Sequence, residues 1–289
     1  MTSPITYSPR VLKLRESLIN ELPRVPNNRV SLESMRALST HDLILSFITW
    51  RMRRIPQKPR TVRFWLGGVK PVQARMAGPK LEPLLRDVRA GRDLEPYLSE
   101  RVRTAGIDLA ADLPRSQRRD MDMVLTRHGL HHFHVGIRAG NNPKGRSGSL
   151  VFAEVLLDEF RIVAISDHRA FEHESEERKH FFRICLSYMA KDVPPGEGFM
   201  PNPVMSSGHA VLVWAFARRC CDEINRLDPL LDDPTFIDQL YSQQKVVDGE
   251  QPIAKPGSPD LVWHFDDLTF GMLDKRTKAY FCIFPYFRR

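Results

Sequence analysis

Between residues 130 and 167 the chain changes rhythm. "LHHFHVG" (130–136) alternates polar and apolar residues, "SLVFAEVL" (149–156) is nearly all apolar, and "FRIVAIS" (160–166) alternates again. A two-residue period sends successive side chains to opposite faces of an extended backbone. The β-branched and aromatic content of these runs suits strands. With Asp158-Glu159 as a tight turn, the last two runs predict an antiparallel hairpin, and "LHHFHVG" a third strand before it.

The turn sets the register. Two turn residues at 158 and 159 would pair Leu157 with Phe160, Val155 with Ile162 and Ala153 with Ala164. That face is wholly apolar and is the expected core side. The other would carry Leu150, Phe152, Glu154 and Leu156 opposite Arg161, Val163, Ile165 and Asp167, with Glu154 and Arg161 near enough to pair. A slip of one residue would exchange the faces.

Helical patterns flank this sheet. Ser39-Thr40 can cap a helix over His41–Arg54, since a hydroxyl accepts from unpaired first-turn amides. Arg51, Arg53 and Arg54 then complement the negative end of its dipole, and Pro56 and Pro59 stop it. "RTVRFW" (60–65) is β-prone, and helices are expected over Leu81–Arg89 and Leu94–Arg103. Residues 104–120 read as a polar, basic connector. A short helix over Met121–Arg127 leads to Gly129, a residue suited to a left-handed stop. Further helices are expected at His180–Met189, at Gly208–Leu227 with a stripe of Leu212, Val213, Phe216, Cys220 and Ile224, and at "TFIDQLYSQ". "LVWHFDD" and "AYFCIFPYF" read as strands. The expected class is α+β: a helical N-terminal region (1–120), then a mainly antiparallel sheet flanked by helices (121–289).

The chain has 289 residues, a formal charge of +8 and a pI near 9.5, a balance that favours an anionic partner. Nucleic acid stands first and an anionic membrane surface second. Cys185, Cys220, Cys221 and Cys282 form no CxxC pair, which points to reduced thiols and a cytoplasmic setting. The N-terminus lacks the apolar core of a signal peptide, and the longest apolar run (210–217) is too short to span a bilayer, so no membrane partner is expected. No Walker loop, nucleophile elbow or HExxH helix appears, and no cofactor is implied.

"HHFHVG" carries three of the ten histidines. On a strand His132 and His134 share a face, whereas His131 falls with Phe133 and is the weakest candidate. On the expected register Glu154, Arg161 and Asp167 join them, with His168 and Arg169 at the rim and the basic loop bearing Lys144 and Arg146 beside them. Imidazoles titrate near neutral pH and suit proton transfer; cations suit a phosphodiester. His132, His134 and His168, with Glu154, are the candidate catalytic groups, and Lys144, Arg146, Arg161 and Arg169 the candidate substrate contacts. Two alternatives stay open. His132 and His134, with Asp167 or His168, could hold zinc or manganese in a metal-dependent nuclease. The same face could instead bind nucleic acid or a protein partner without catalysis, the histidines only lining it.

"HFHVG", a basic loop and "RSGSLVFAEVLLDEFRIVAISDHR" resemble the C-terminal half of the RelE/ParE toxin superfamily. There a strand ending in Val-Gly precedes a central apolar strand, a tight acidic turn and a last strand closing on His-Arg, here His168-Arg169. The resemblance covers roughly residues 120–172. It implies a small antiparallel sheet flanked by helices, akin to barnase and the EndoU and colicin nucleases, and metal-independent cleavage of RNA by a toxin or defence effector, with an antitoxin or the ribosome as partner. The chain departs from the toxins in its long extensions on both sides and in placing "LHHFHVG" where they carry tyrosine and arginine. "HDLILSFITWRMRRIPQKPR" ahead of "GLHHFHVG" also resembles a group of uncharacterised bacterial proteins.

Overall fold

The computed structural model describes residues 7–104, 107, 121–136, 148–244, 246 and 251–286. Its first part is helical: α1 (Pro9–Glu21), α2 (Arg29–Ala37) and α3 (Thr40–Met52) precede strand β1 (Thr61–Phe64). Helices α4 (Pro71–Arg89), α5 (Arg101–Thr104) and α6 (Met123–His128) lead to strands β2 (His131–Val135), β3 (Ser149–Val155) and β4 (Glu159–Asp167). Helices α7 (Glu176–Met189), α8 (Val211–Leu227) and α9 (Pro234–Ser242) follow, then strands β5 (Leu261–Asp266), β6 (Thr269–Asp274) and β7 (Tyr280–Pro285). The class is α+β with a helical start. One sheet has the order β1-β4-β3-β2, with β1 parallel to β4 and the other pairs antiparallel; the second is an antiparallel β5-β6-β7 meander.

Two compact units emerge, interleaved along the chain. The described residues of Met1–Arg51 and Leu212–Phe287 form one; those of Met52–Val211 form the other. In the first, α1 packs on β5, and Phe47 meets Phe265 with ring centroids 5.2 Å apart. Buried Arg15 donates to Thr40 Oγ1 and to the carbonyls of Arg36 and Leu38, which satisfies the exposed end of α2. Asp274, fully buried, accepts from the hydroxyls of Tyr241 and Thr277, both at 2.7 Å. Strand β6 had no sequence expectation. Its Gly271 sits where a Cβ would lie 2.2 Å from the Phe281 carbonyl oxygen, so a residue that weakens a strand by propensity is demanded here by close approach.

In the second unit the hairpin turns one residue earlier than expected. Leu156 N donates to Glu159 O (2.9 Å), so Leu157 and Asp158 form the turn and Val155 pairs with Phe160, not Ile162. Partners distant in sequence hold it there. Thr61 donates to the Asp158 carbonyl through its amide (2.9 Å) and hydroxyl (3.0 Å), Arg60 Nε donates to Leu156 O (2.9 Å), and Lys58 pairs with Asp158. Shifting the pairing by two positions preserves the faces, and Glu154, expected near Arg161 on the same face, stands directly opposite it. A bulge at Phe152/Ala153 then reverses them: Ala164 pairs with Phe152, and Ile165 and Asp167 move to the side of Val151 and Ser149, away from the histidines.

Both faces of this sheet are covered. Phe133, Val151, Ala153, Phe160 and Ile162 pack against α4 residues such as Leu81, Leu84 and Val88. On the other side Leu150, Phe152 and Val163 pack with Val124 of α6 and with Phe181 and Cys185 of α7. Helix α4 begins ten residues before the expected start at Leu81, carrying Pro79 and Pro83 internally. The helix expected over 94–103 is divided: Pro96 opens a 3₁₀ turn at Glu95–Tyr97, and α5 follows separately. Helix α8 starts at Val211, since His209 O accepts from Met205 N and Ala210 bridges to Val204; Leu212 is exposed rather than in the buried stripe. All four cysteines are free. No helix among the described residues is long and apolar enough to cross a membrane.

Candidate functional site

One carboxylate organises the histidine end of the sheet. Asp122 is the N-cap of α6, and its Oδ1 accepts from the amides of Val124 and Leu125, both at 3.1 Å. Its Oδ2 lies 3.1 Å from Nδ1 of His132. Helix α6 is only six residues long, ending on Gly129 at φ 69°, so the chain doubles back and lays β2 beside its own cap. Burial is the largest influence on the His132 imidazole and pulls its pKa down; the charge and contact of Asp122 together overcome it and raise the pKa above its ordinary value. Burial likewise pushes Asp122 up, but His132, the Leu125 amide and the Arg53 charge leave it well below the usual carboxylate range. Each of Asp122 and His132 thus favours the charged form of the other.

Around that pair stand the other imidazoles. The His132 and His134 ring centroids are 5.8 Å apart, and those of His134 and His168 are 5.3 Å apart. His168 opens the 3₁₀ turn His168–Phe171, which Asp167 caps by accepting from Arg169 N at 2.9 Å. The turn brings Phe171 edge-to-face with His132 at 5.3 Å. His132 is consequently only 14% exposed at its side chain, whereas His168 is open to solvent. The histidines thus form a row from the buried ion pair to the surface.

The remaining sequence candidates divide. His131 faces inward, its Nε2 3.0 Å from the Met52 carbonyl, a structural role. Arg161 donates to Glu159 (2.5 Å), Glu154 (3.3 Å) and the Tyr188 hydroxyl (3.1 Å), and that hydroxyl donates to Glu154 (2.5 Å). Glu154 and Arg161 therefore sit in a network closed on α7, with Glu154's charge already answered and Nε and Nη1 of Arg161 engaged. Arg169 pairs with Asp167 at 2.8 Å on the exposed rim beside His168. Lys144 and Arg146 lie outside the described residues. Asp167 is turned to the other face and does not join His132 and His134; among the described residues no three His, Cys, Asp or Glu side chains converge as metal ligands.

Sequence reasoning missed Asp122 and Phe171. The signal for Asp122 was present: an aspartate one residue before a short helix ending in glycine is an N-cap candidate, and a cap beside a returning strand can reach that strand's side chains. Nothing local marked Phe171. No protein-family model, curated protein or solved structure matches this chain.

Proposed function

We propose that the histidine row is the acid–base centre of a metal-independent endoribonuclease of RelE-like type. The observation that supports it is the coexistence of His132, 3.1 Å from the Asp122 carboxylate, with two further imidazoles at 5–6 Å spacing, the outermost in solvent. His134 and His168, nearer the surface, carry the protons. The neutral member of that pair takes the proton of a ribose 2′-hydroxyl, and the 2′-oxygen bonds to the adjacent phosphorus. The 5′-oxygen leaves with a proton from the protonated member, giving a 2′,3′-cyclic phosphate and a free 5′-hydroxyl. His132, its charged form favoured by Asp122 and screened by Phe171, acts through its field on the developing phosphorane. Each proton transfer is worth about 10²–10⁴-fold. On this reading the chain works on RNA in the cytoplasm as a toxin or defence effector, with an antitoxin or the ribosome as its partner.

The closure of Arg161 on Glu154, Glu159 and Tyr188 favours a second reading, a non-catalytic face that holds nucleic acid or protein, because it withdraws one cation expected to contact phosphate. The test is cleavage of labelled single-stranded RNA by the purified chain, with and without EDTA, beside His134→Ala and His168→Ala. EDTA-resistant cleavage that falls by about 10² or more in each variant supports the nuclease. RNA binding without cleavage, unchanged in the variants, supports the second reading. Cleavage abolished by EDTA refutes a metal-independent centre.

A further inference from the structure

Residues 43–81 contain nine lysines and arginines and not one aspartate or glutamate. Most of that charge is answered within the fold. Arg51 pairs with Asp267, Arg54 with Glu95, Lys58 with Asp158 and Arg63 with Glu159. Buried Arg53 acts on Asp122, and buried Arg60 donates to the carbonyls of Pro56, Lys58 and Leu156. Three cations are left. Lys70, Arg75 and Lys80 are exposed and have no carboxylate partner among the described residues, and they run from the N-cap of α4 to its middle.

The same segment presents apolar side chains to water. Leu66, in the turn closed by Gly68 N and Val69 N on the Trp65 carbonyl, is 71% exposed; Val72 and Met76 are 59% and 78% exposed. On α4, Val72, Met76 and Lys80 recur every four residues and share one stripe. The opposite side of this turn of helix is anchored, with Ala74 and Ala77 packed on the core that Val69 and Leu81 enter. The outward stripe is therefore fixed rather than a frayed end free to turn inward.

We infer that this cationic, apolar ridge docks the protein on an anionic lipid bilayer as a peripheral attachment. Three features select that occupant. Side chains lining a groove are half-covered by its walls, and these are not, so they project; a projecting apolar residue suits a surface it can enter, whereas a partner helix needs a groove to lie in. Three unanswered cations and no anion oppose a second copy of the same ridge and favour a negative surface. Aliphatic side chains also give nucleic-acid bases nothing to stack on. The absence of a spanning helix among the described residues bears only on crossing a bilayer; an amphipathic face lies in the interface, with its apolar residues among the headgroups and its cations toward lipid phosphates.

Each lysine or arginine near an anionic surface contributes about fivefold to partitioning, so the three together contribute about 10²-fold. The test is flotation of the full chain with vesicles of phosphatidylcholine alone and with one-third phosphatidylglycerol. Two variants accompany it, Lys70→Gln/Arg75→Gln/Lys80→Gln and Val72→Ser/Met76→Ser, with melting curves of both as a check on folding. Binding to the anionic vesicles only, reduced about 10²-fold in the charge variant and also weakened in the apolar variant, is the expected result. Absence of binding, or binding indifferent to either variant, overturns the proposal. So does loss of single-stranded RNA binding in the charge variant with no vesicle binding by the parent, which assigns the ridge to nucleic acid.

Discussion

Replacing Asp122 by asparagine separates two jobs that one side chain performs. Asparagine caps a helix as well as aspartate does, so the amides of Val124 and Leu125 keep an acceptor. What is lost is the charge 3.1 Å from His132. Removing one member of a buried ion pair costs about 3–5 kcal/mol. Here the cost falls at the lower end, about 3 kcal/mol, because the imidazole left behind can shed its proton. The size of the loss must then depend on pH. In the parent, the raised pKa of His132 gives stability that is fully present below the unfolded value, about 6.5, and is lost as pH rises through the folded value. In the variant burial and the Arg53 charge both pull His132 down, its folded pKa drops below the unfolded one, and stability is gained as pH rises. The two curves converge toward high pH. Urea unfolding of both proteins at about pH 5.5, 7 and 8.5 reads this directly. A gap of about 3 kcal/mol at the acid end that narrows steadily is expected. A gap that is constant, or that widens with pH, would refute the ion pair.

Two further outcomes follow from packing and from the closed arginine network. Glu154→Gln should cost about 1 kcal/mol, because Arg161 keeps Glu159, and should leave RNA cleavage by the parent-like protein within about twofold; a fall of 10² or more would place Glu154 among the proton-transfer groups. Gly271→Ala should destabilise the β6–β7 pairing by about 1–3 kcal/mol, since the new Cβ meets the Phe281 carbonyl at 2.2 Å; an unchanged melting temperature would contradict that close approach.

Much of the local structure was legible because its causes are local. Period-two alternation located β2 and β4, a nearly continuous apolar run located β3, Gly129 marked the end of α6, and the position of His132 and His134 on one face followed from strand geometry alone. The expectations that missed share a different cause. The hairpin turns at Leu157-Asp158 because Lys58, Arg60 and Thr61, about a hundred residues earlier, hold its carbonyls and its carboxylate. The bulge that swings Asp167 away absorbs Val163, a residue with no composition signal of its own. At the site, the three histidines could be read from the strand and its exit, but their gradation from buried beside a carboxylate to exposed could not. That gradation depends on Asp122 across a helix and on Phe171 across a turn, and no spacing in the sequence records either contact.

The interleaving of the two units has a consequence for synthesis. Everything that the unit of Met52–Val211 requires emerges from the ribosome in one continuous stretch, and that unit can close as soon as α7 and the loop after it are out. Helix α1 packs on β5, whose first residue is Leu261. At roughly 5–20 residues per second, the N-terminal helices wait about 10–50 s for the strands that complete their core. Helices α1 to α3 are thus made before the other unit and housed after it. Their apolar faces, Leu14, Leu18 and Ile19 of α1 among them, are surfaces open to a nascent-chain chaperone during that interval.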